Sequence, residues 1–258
     1  MKFAGNPFCS LSARRRLLGC LLLAVAMGLP CLAAKPAKAA KTAPDAPASG
    51  VDLKAVLARL DTASAAFKSA QADITTDIVQ KVPIPDDDKQ TGAILFERKN
   101  GELAMAMHLK TDNGKPAAKD VVFAGGTGKL YEPMLKQMQV FKTGANQALA
   151  NTILALGFGG SGKDLEKNWE VAFAGLDPVD GKPFAKLELV PRDASVKKTF
   201  PKVWLWIDMG NGLAVQQQFF DPEGNYKLAT YRNIRLNGKV PSDAFEIKTA
   251  PGTQVVNH

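Results

Sequence analysis

Apolar and polar residues alternate along much of the chain after residue 71, and this period of two predicts β-strands. The alternation is clearest around Lys99-Asn100-Gly101, where an Asn-Gly signal predicts the turn of a hairpin. Successive side chains of a strand point to opposite faces of the sheet. In the strand after this turn, one face therefore carries Leu103, Met105, Met107 and Leu109, and the other carries Ala104, Ala106 and His108.

The Leu and Met face suits an apolar guest of variable shape, such as an acyl chain. Methionine is unbranched and flexible, so it adapts to irregular partners. The same pattern is typical of the core of an ordinary β-sandwich. The residues alone leave both interpretations open.

Two segments depart from the alternation. Asp52 predicts the N-cap of a helix whose apolar residues follow at helical spacing: Leu53, Val56, Leu57, Leu60 and Phe67. The segment Asn146–Phe158 predicts a second helix that is apolar on most sides, and glycines at 157, 159, 160 and 162 interrupt it. This helix is either a lid with glycine hinges or a buried cross-over helix.

The rest of the chain is predicted to be β, and its regular spacing is typical of a meander, sandwich or barrel. Pro83, Pro85 and the acidic run Asp86–Asp88 predict a solvated loop. In one later strand Trp204 and Trp206 share a face opposite Val203, Leu205 and Ile207, so cover is expected on both sides. The strands predicted after the second helix are Trp169–Leu176, Lys182–Val190, Phe200–Asp208, Leu213–Phe220, Tyr226–Leu236 and Ala244–Lys248.

Residues 1–34 have the pattern of a cleavable secretory signal, by general or twin-arginine export, which predicts a periplasmic protein. Arg14–Arg16 precede the apolar segment Leu17–Leu29, which is too short to span a bilayer. All three cysteines lie in residues 1–34, so the exported domain is expected to have no disulfide. Residues 35–50 are rich in Ala, Pro and Lys and predict a disordered linker, leaving 51–258 as one domain.

The charge and the polar residues indicate a binding protein rather than an enzyme. The formal net charge is +8, but residues 51–258 keep only +2 and show no basic stripe, so nucleic-acid binding is not expected. The two histidines, His108 and His258, have no Ser or carboxylate partner nearby in the sequence. The Asp86–Asp88 run lacks the spacing of a calcium loop, and neither a metal nor a cofactor is expected.

Several short motifs in combination resemble the LolA-type periplasmic carriers of outer-membrane lipoproteins. The helix and turn LDTASAAFKSAQADI is followed by the strand Gly92-Ala-Ile-Leu-Phe-Glu-Arg98, which resembles the family's G-x-L-x-x-x-R pattern. The remaining motifs are Tyr131-Glu-Pro133, Gln139-Val140, Asp221-Pro-Glu-Gly224, Tyr231-x-Asn233-Ile234, Pro241, Phe245 and Pro251-Gly252. The resemblance covers Leu53–Val256, which is almost the whole predicted domain.

This resemblance implies a mainly β protein with helices (α+β), whose incomplete antiparallel barrel carries an N-terminal helix and short lid helices. It implies a monomeric carrier of acylated lipoproteins, or of another lipid, between an inner-membrane donor and an outer-membrane acceptor. Arg98 would contact the lid, but the family's second arginine is missing between Glu102 and Lys110. The predicted lipid-binding residues are Phe96, Leu103, Met105, Met107, Leu109, Met134, Met138, Leu149, Ile153, Leu156, Phe158, Trp204 and Trp206.

Two alternatives belong to other functional classes. The first is an interaction domain that senses a lipid or lipoprotein without transporting it. The second is an enzyme on a barrel scaffold, which would need convergent polar groups inside the cavity. A fold does not by itself decide between these functions.

Overall fold

The computed structural model describes residues 50–144 and 147–258, and at 147–149 it describes the backbone alone. The predicted signal at 1–34 and the predicted linker, apart from Gly50, lie outside the described residues. Among the helices of the described part, none is long and apolar enough to cross a membrane.

The described residues form a sheet of twelve strands accompanied by α-helices. The helices are α1 Leu53–Ala66, α2 Gln147–Leu154, α3 Gly162–Asn168 and α4 Ala194–Thr199. A 3-10 turn at Pro133–Leu135 joins the fifth and sixth strands. The strands are β1 Ser69–Gln80, β2 Asp86–Lys99, β3 Glu102–Asp112, β4 Lys115–Ala124, β5 Thr127–Glu132, β6 Gln137–Lys142, β7 Trp169–Val179, β8 Lys182–Pro191, β9 Lys202–Asp208, β10 Leu213–Phe220, β11 Tyr226–Leu236 and β12 Gln254–Asn257.

The twelve strands form one open, curved sheet in the order β12-β6-β5-β4-β3-β2-β1-β11-β10-β9-β8-β7. Neighbouring strands are antiparallel except for β12, which pairs with β6 in parallel. The predicted mainly β fold, an incomplete antiparallel barrel with an N-terminal helix and further short helices, is confirmed.

Helix α1 covers the concave face of this sheet, which we define as the face that carries Phe96, Leu187 and Leu205. Asp52 caps the helix as predicted, because its Oδ1 accepts a hydrogen bond from the Ala55 N–H at 2.7 Å. The apolar stripe of α1 consists of Val56, Leu57 and Leu60, which are buried in the same core as those sheet residues.

A polar contact and a close approach fix α1 over the turn between β9 and β10. Arg59 donates from Nε to the Met209 carbonyl at 3.1 Å and from Nη2 to the Gly210 carbonyl. Gly212 has φ +74°, and a Cβ there would lie 2.6 Å from the Cβ of Ala63. Glycine is therefore needed on both steric and conformational grounds.

Three predicted element boundaries were wrong. Asp86–Asp88 begin β2, where they pair with the end of β1, and do not form a loop. The apolar helix ends at Leu154, because Gly157 takes φ +74° and turns the chain. Ala244–Lys248 is not a strand, since the ion pair between Asp243 and Lys248 and the bond from Glu246 N–H to the Asp243 carbonyl fold it into turns.

Three short elements were missed: α3, α4 and β12. Neither helix has a repeating apolar pattern, because each is less than two turns long. Their N-caps could have been predicted, however, because Ser and Asp are preferred at this position. Ser161 and Asp193 each accept hydrogen bonds from backbone N–H groups two or three residues later. The pairing of β12 with β6 is a long-range contact that no local sequence pattern predicts.

We expect Leu205→Ala to lower the free energy of unfolding by about 2–5 kcal/mol, because Leu205 is fully buried between the sheet and its cover. The matched control is Leu236→Ala, whose leucine is 41% exposed and should cost less than about 0.5 kcal/mol. Urea unfolding measures both values. Similar losses for the two variants would contradict the described core.

Candidate functional site

The concave face of β2 and β3 carries the apolar residues that the sequence placed there. Across the two strands Phe96 pairs with Met105 and Ile94 pairs with Met107, so these side chains share one face. Phe96 and Leu103 are buried in the core, whereas Met105 and Met107 are only partly buried and pack at its edge. This confirms the predicted division of β3 into a Leu and Met face and a face with Ala106 and His108.

The same face continues across β4, β5 and β6. The pairing register brings Phe123 beside Met105 and Val121 beside Met107, and Leu130 follows on β5. Phe141 lies one strand further and stacks on His258 at 4.5 Å between ring centroids. None of these added apolar side chains is fully buried, so this side of the concave face is less tightly covered than the side beneath α1.

Residues 147–160, which we call the lid segment, cover the centre of the concave face. Leu156 and Phe158 follow α2 and are buried, with Phe158 entirely inaccessible. The Phe158 ring stacks on Phe96 at 4.5 Å and meets the edge of Tyr231 at 4.8 Å. Ile153 is partly buried and packs against the same core. The lid segment therefore packs into the centre of the concave face.

Hydrogen bonds from β10 hold the lid segment in place. Gln217 donates from Nε2 to the Leu156 carbonyl, and the Ala214 N–H donates to the Gly157 carbonyl at 3.0 Å. The Tyr231 hydroxyl donates to Gln217 Oε1 at 3.0 Å. Burial raises the pKa of Tyr231, so its hydroxyl stays protonated and remains a donor at neutral pH.

Arg98 joins the end of α1 to the lid segment. Its Nη1 donates to the Ser64 carbonyl at 2.8 Å, and its Nη2 donates to the Gly159 carbonyl. Ser64 Oγ donates to the same Gly159 carbonyl at 2.6 Å, and the guanidinium lies 5.6 Å from the ring centre of Phe67. Arg98 therefore contacts the lid segment, and its planar guanidinium holds the hydrogen-bond donors in a fixed geometry.

The turn that follows α2 requires glycine at position 157. Its φ of +74° favours glycine, and a Cβ there would lie 2.3 Å from the Cβ of Ala214. The chain can therefore reverse direction immediately after α2 while it stays in contact with β10.

A cavity of about 240 Å³ lies between the lid segment, β3 and α3. Its wall includes Arg98, Leu103, Ala155, Leu156 and Trp169. Pockets for small molecules usually measure roughly 300–1,000 Å³. This cavity is therefore smaller than a typical ligand pocket.

A larger open groove of about 920 Å³ lies on the opposite, outer face of the sheet, beside the segment after β11. Ala93 and Leu95 form part of its floor, and His108 lies at its side with Nδ1 2.7 Å from Oδ1 of Asp120. Lys248 donates to Asp243 at the rim, which lowers the pKa of that carboxyl. The charged rim makes this groove unsuitable for an acyl chain, although it is the larger space.

Five predicted lipid-binding residues do not join the concave group. Trp204 and Trp206 lie on the outer face, because Val203, Leu205 and Ile207 occupy the inner positions of β9. Met138 pairs with Tyr131 on the outer face, and Met134 is 80% exposed on the 3-10 turn. The side chain of Leu149 lies outside what the structure describes.

On the outer face Trp206 donates from its indole N–H to Asp177 Oδ2 at 3.0 Å. Lys186 donates to the same oxygen at 3.1 Å. The indole hydrogen bond first, and the ammonium second, lower the pKa of Asp177 despite some desolvation. The two tryptophans are therefore part of a polar and aromatic surface, not of the lid site.

Sequence reasoning missed Ser64, Gln217 and Tyr231, which bond to the lid segment or support it. Ser64 lies on α1, far in the chain from Gln217 on β10 and Tyr231 on β11, so no local spacing could have grouped the three residues. Val121 and Phe123 could have been found, because they alternate in the stretch KDVVFAGG with the parity of an inner face. Within residues 50–144 and 147–258, no group of three or more His, Cys, Asp or Glu could hold a metal ion.

Comparison with solved structures finds several proteins of similar fold. No protein-family model and no curated protein matches this chain. Among solved structures, an uncharacterised conserved protein from Thermus thermophilus is 10% identical, with a TM-score of 0.49 over 80% of this chain and 98% of that chain. MucB is 16% identical, with a TM-score of 0.46 over 79% and 65%. A LolA superfamily protein from Nitrosomonas europaea is 14% identical, with a TM-score of 0.37 over 76% and 97%. At these low values the likeness is one of fold alone.

We expect Arg98→Met to loosen the lid segment, because the Ser64 and Gly159 carbonyls lose a shared donor. A hydrogen bond from a charged donor contributes about 1.5–3 kcal/mol, so the Phe158 and Gly160 amides should exchange hydrogen roughly tenfold faster when these bonds are lost. Both amides bond to the Ala155 carbonyl in the closed state. Hydrogen exchange with mass spectrometry measures the effect.

The control for this measurement is Arg232→Met, which removes an exposed ion pair with Asp180. It should leave exchange in the lid segment unchanged. Equal exchange in the two variants would show that Arg98 does not hold this segment.

Proposed function

We propose that this chain is a periplasmic carrier that shelters an acyl chain of a lipoprotein, or of another lipid, on the concave face of its sheet. The observation that carries the proposal is the position of the lid segment. It places Leu156 and Phe158 against Phe96 and next to the partly buried Met105 and Met107. Leu156 and Phe158 pack there but leave Met105 and Met107 partly exposed. Another apolar group could therefore take their place.

The free energies favour such a replacement. An acyl chain gains about 0.8 kcal/mol for each buried methylene, so a chain with roughly 14 buried methylenes gains about 11 kcal/mol relative to water. Exposing the Leu156 and Phe158 side chains costs about 1.5–3 kcal/mol each. The hydrogen bonds to the Leu156, Gly157 and Gly159 carbonyls add about 0.5–1.5 kcal/mol each. The guest therefore outweighs the lid segment, but not by so much that binding becomes irreversible.

The lining also favours variable guests. Met105 and Met107 can change rotamer to fit chains of different length and branching. Arg98, Glu102 and Asp164 are the charged residues that line the pocket, and the donors of Arg98 face the Ser64 and Gly159 carbonyls. Since the described fold contains no element that uses an energy source, delivery would depend on an acceptor with higher affinity than the carrier.

The proposed route follows from the sequence. The signal pattern at residues 1–34 would place the protein in the periplasm, between a donor at the inner membrane and an acceptor at the outer membrane. In that compartment a free acyl chain is exposed to water, and a carrier would remove it from water during transfer.

Lipid should accompany the protein when it is purified from its own host without detergent. Organic extraction followed by mass spectrometry would identify acyl species in about stoichiometric amount. A sample without acyl lipid, obtained under the same mild conditions, would count against the carrier function.

We expect Met105→Asp to weaken binding of a fluorescent fatty-acid probe at least tenfold, because it brings a carboxylate to the apolar face. The matched control is Met138→Asp, which makes the same change at a partly buried position on the outer face. Probe titration measures affinity, and circular dichroism with thermal unfolding verifies that both variants fold. Equal probe affinity in the two variants would exclude the concave face as the binding site.

A further inference from the structure

The indole N–H of Trp169 is a buried donor without an acceptor in the described part of the chain. Trp169 begins β7 directly after α3 and is only 1% exposed. Its Nε1 has no hydrogen-bond partner among residues 50–144 and 147–258. An indole N–H can only donate, and buried polar groups in folded proteins nearly always have a partner. The acceptor for this donor must therefore come from outside the described residues.

Trp169 is also part of the wall of the cavity of about 240 Å³ between the lid segment, β3 and α3. Leu103 and Leu156 share this wall and are buried as well, so the inner part of the cavity is mainly apolar. A hydrogen bond is stronger in such surroundings than in water, because the local dielectric constant is low. One acceptor oxygen beside Trp169 would satisfy the unpaired donor.

The charges around the cavity favour a neutral acceptor. Glu102 and Asp164 line it at exposed positions. Arg98 is the single cation among the described residues on its wall, and its guanidinium already donates to the Ser64 and Gly159 carbonyls. A guest carboxylate would therefore meet two like charges, which raises the free energy of binding. A neutral carbonyl oxygen avoids this repulsion and still accepts from the indole.

The cavity lies at one end of the face proposed to bind the acyl chain. Leu103 is on the cavity wall, and Met105 and Met107 follow it on the same face of β3. A strand rises about 3.3 Å per residue, so Met107 lies roughly 13 Å from Leu103 along β3. A chain whose first carbonyl sits beside Trp169 thus has an apolar path along the methionines.

We propose that Trp169 Nε1 donates a hydrogen bond to the carbonyl oxygen of the ester or amide that joins a guest acyl chain to its headgroup. This inference rests on the proposed function, and it names the part of the lipid that the cavity recognises. The chain then runs over Met105 and Met107, and the headgroup leaves the cavity beside the exposed Glu102 and Asp164. Trp169 thereby makes the site selective for acyl esters and amides over bare hydrocarbons and free acids.

The indole signals of the protein in a proton–nitrogen NMR spectrum test this bond directly. The chain has three tryptophans, and single Trp→Phe variants assign their three signals. We expect methyl palmitate to move the Trp169 indole proton downfield, because this proton gains an acceptor. Trp204 is the internal control, since its Nε1 is also buried without a partner among the described residues but lies on the outer face. Its signal should not move.

Trp169→Phe removes the donor and keeps an aromatic ring. The readout is the ratio of the affinity for methyl palmitate to the affinity for a hydrocarbon of the same chain length, because the smaller ring affects both ligands alike. We expect this ratio to fall about fivefold. Displacement of a fluorescent fatty-acid probe measures both affinities, and thermal unfolding verifies that the variant folds. Trp204→Phe is the matched control and should keep the ratio of the unsubstituted protein.

Palmitate tests the preference for a neutral acceptor and should bind the unsubstituted protein more weakly than its methyl ester. Three results would overturn the proposal: an unmoved Trp169 signal at saturating ester, an unchanged affinity ratio in Trp169→Phe, or tighter binding of palmitate than of the ester. A failure of the carrier function gives a different pattern, because neither the ester nor the hydrocarbon would then bind.

Discussion

The packing of Phe158 between Phe96 and Tyr231 is the contact on which the central site depends. A curved sheet with an apolar concave face must cover that face, because exposed apolar area is unfavourable in water. Helix α1 covers one part, through a stripe of three buried residues and the Arg59 contacts to the β9–β10 turn. The lid segment covers the centre, and its described residues Leu156 and Phe158 are buried there.

Polar contacts give the lid segment one defined closed position. The hydrogen bonds from Gln217, Ala214 and Arg98 all reach carbonyls in the short stretch Leu156–Gly159. Opening would leave Gln217 and the Tyr231 hydroxyl that supports it without their full set of partners. Buried polar networks are stable when complete and costly when broken, so this group should move as a unit. An apolar guest would have to provide the free energy for that movement.

Strand β9 separates two surfaces of different chemistry. Leu205 points into the core on one side, and Trp204 and Trp206 point outward on the other, under lysines. The alternation of a strand makes this separation unavoidable, since neighbouring residues cannot share a face. The chain thereby keeps an apolar site and a polar and aromatic surface within a few residues of each other in sequence, yet on opposite faces of one sheet.

The sequence by itself determined the mainly β architecture, the capped first helix, and the division of β3 into a face with Met105 and Met107 and a face with His108. These features depend on local periodicity and on capping chemistry, both of which are written in consecutive residues. It also placed an apolar segment before the glycines at 157–162. It could not assign Trp204 and Trp206 to the correct side, because both faces of β9 are apolar and the pattern is symmetric. Only the tertiary structure decided that Leu205 faces the core, that Arg98 reaches Gly159, and that Gln217 and Tyr231 meet at the lid segment. These contacts depend on how β2, β10 and β11 are placed around the lid segment, and packing of the whole sheet decides that placement.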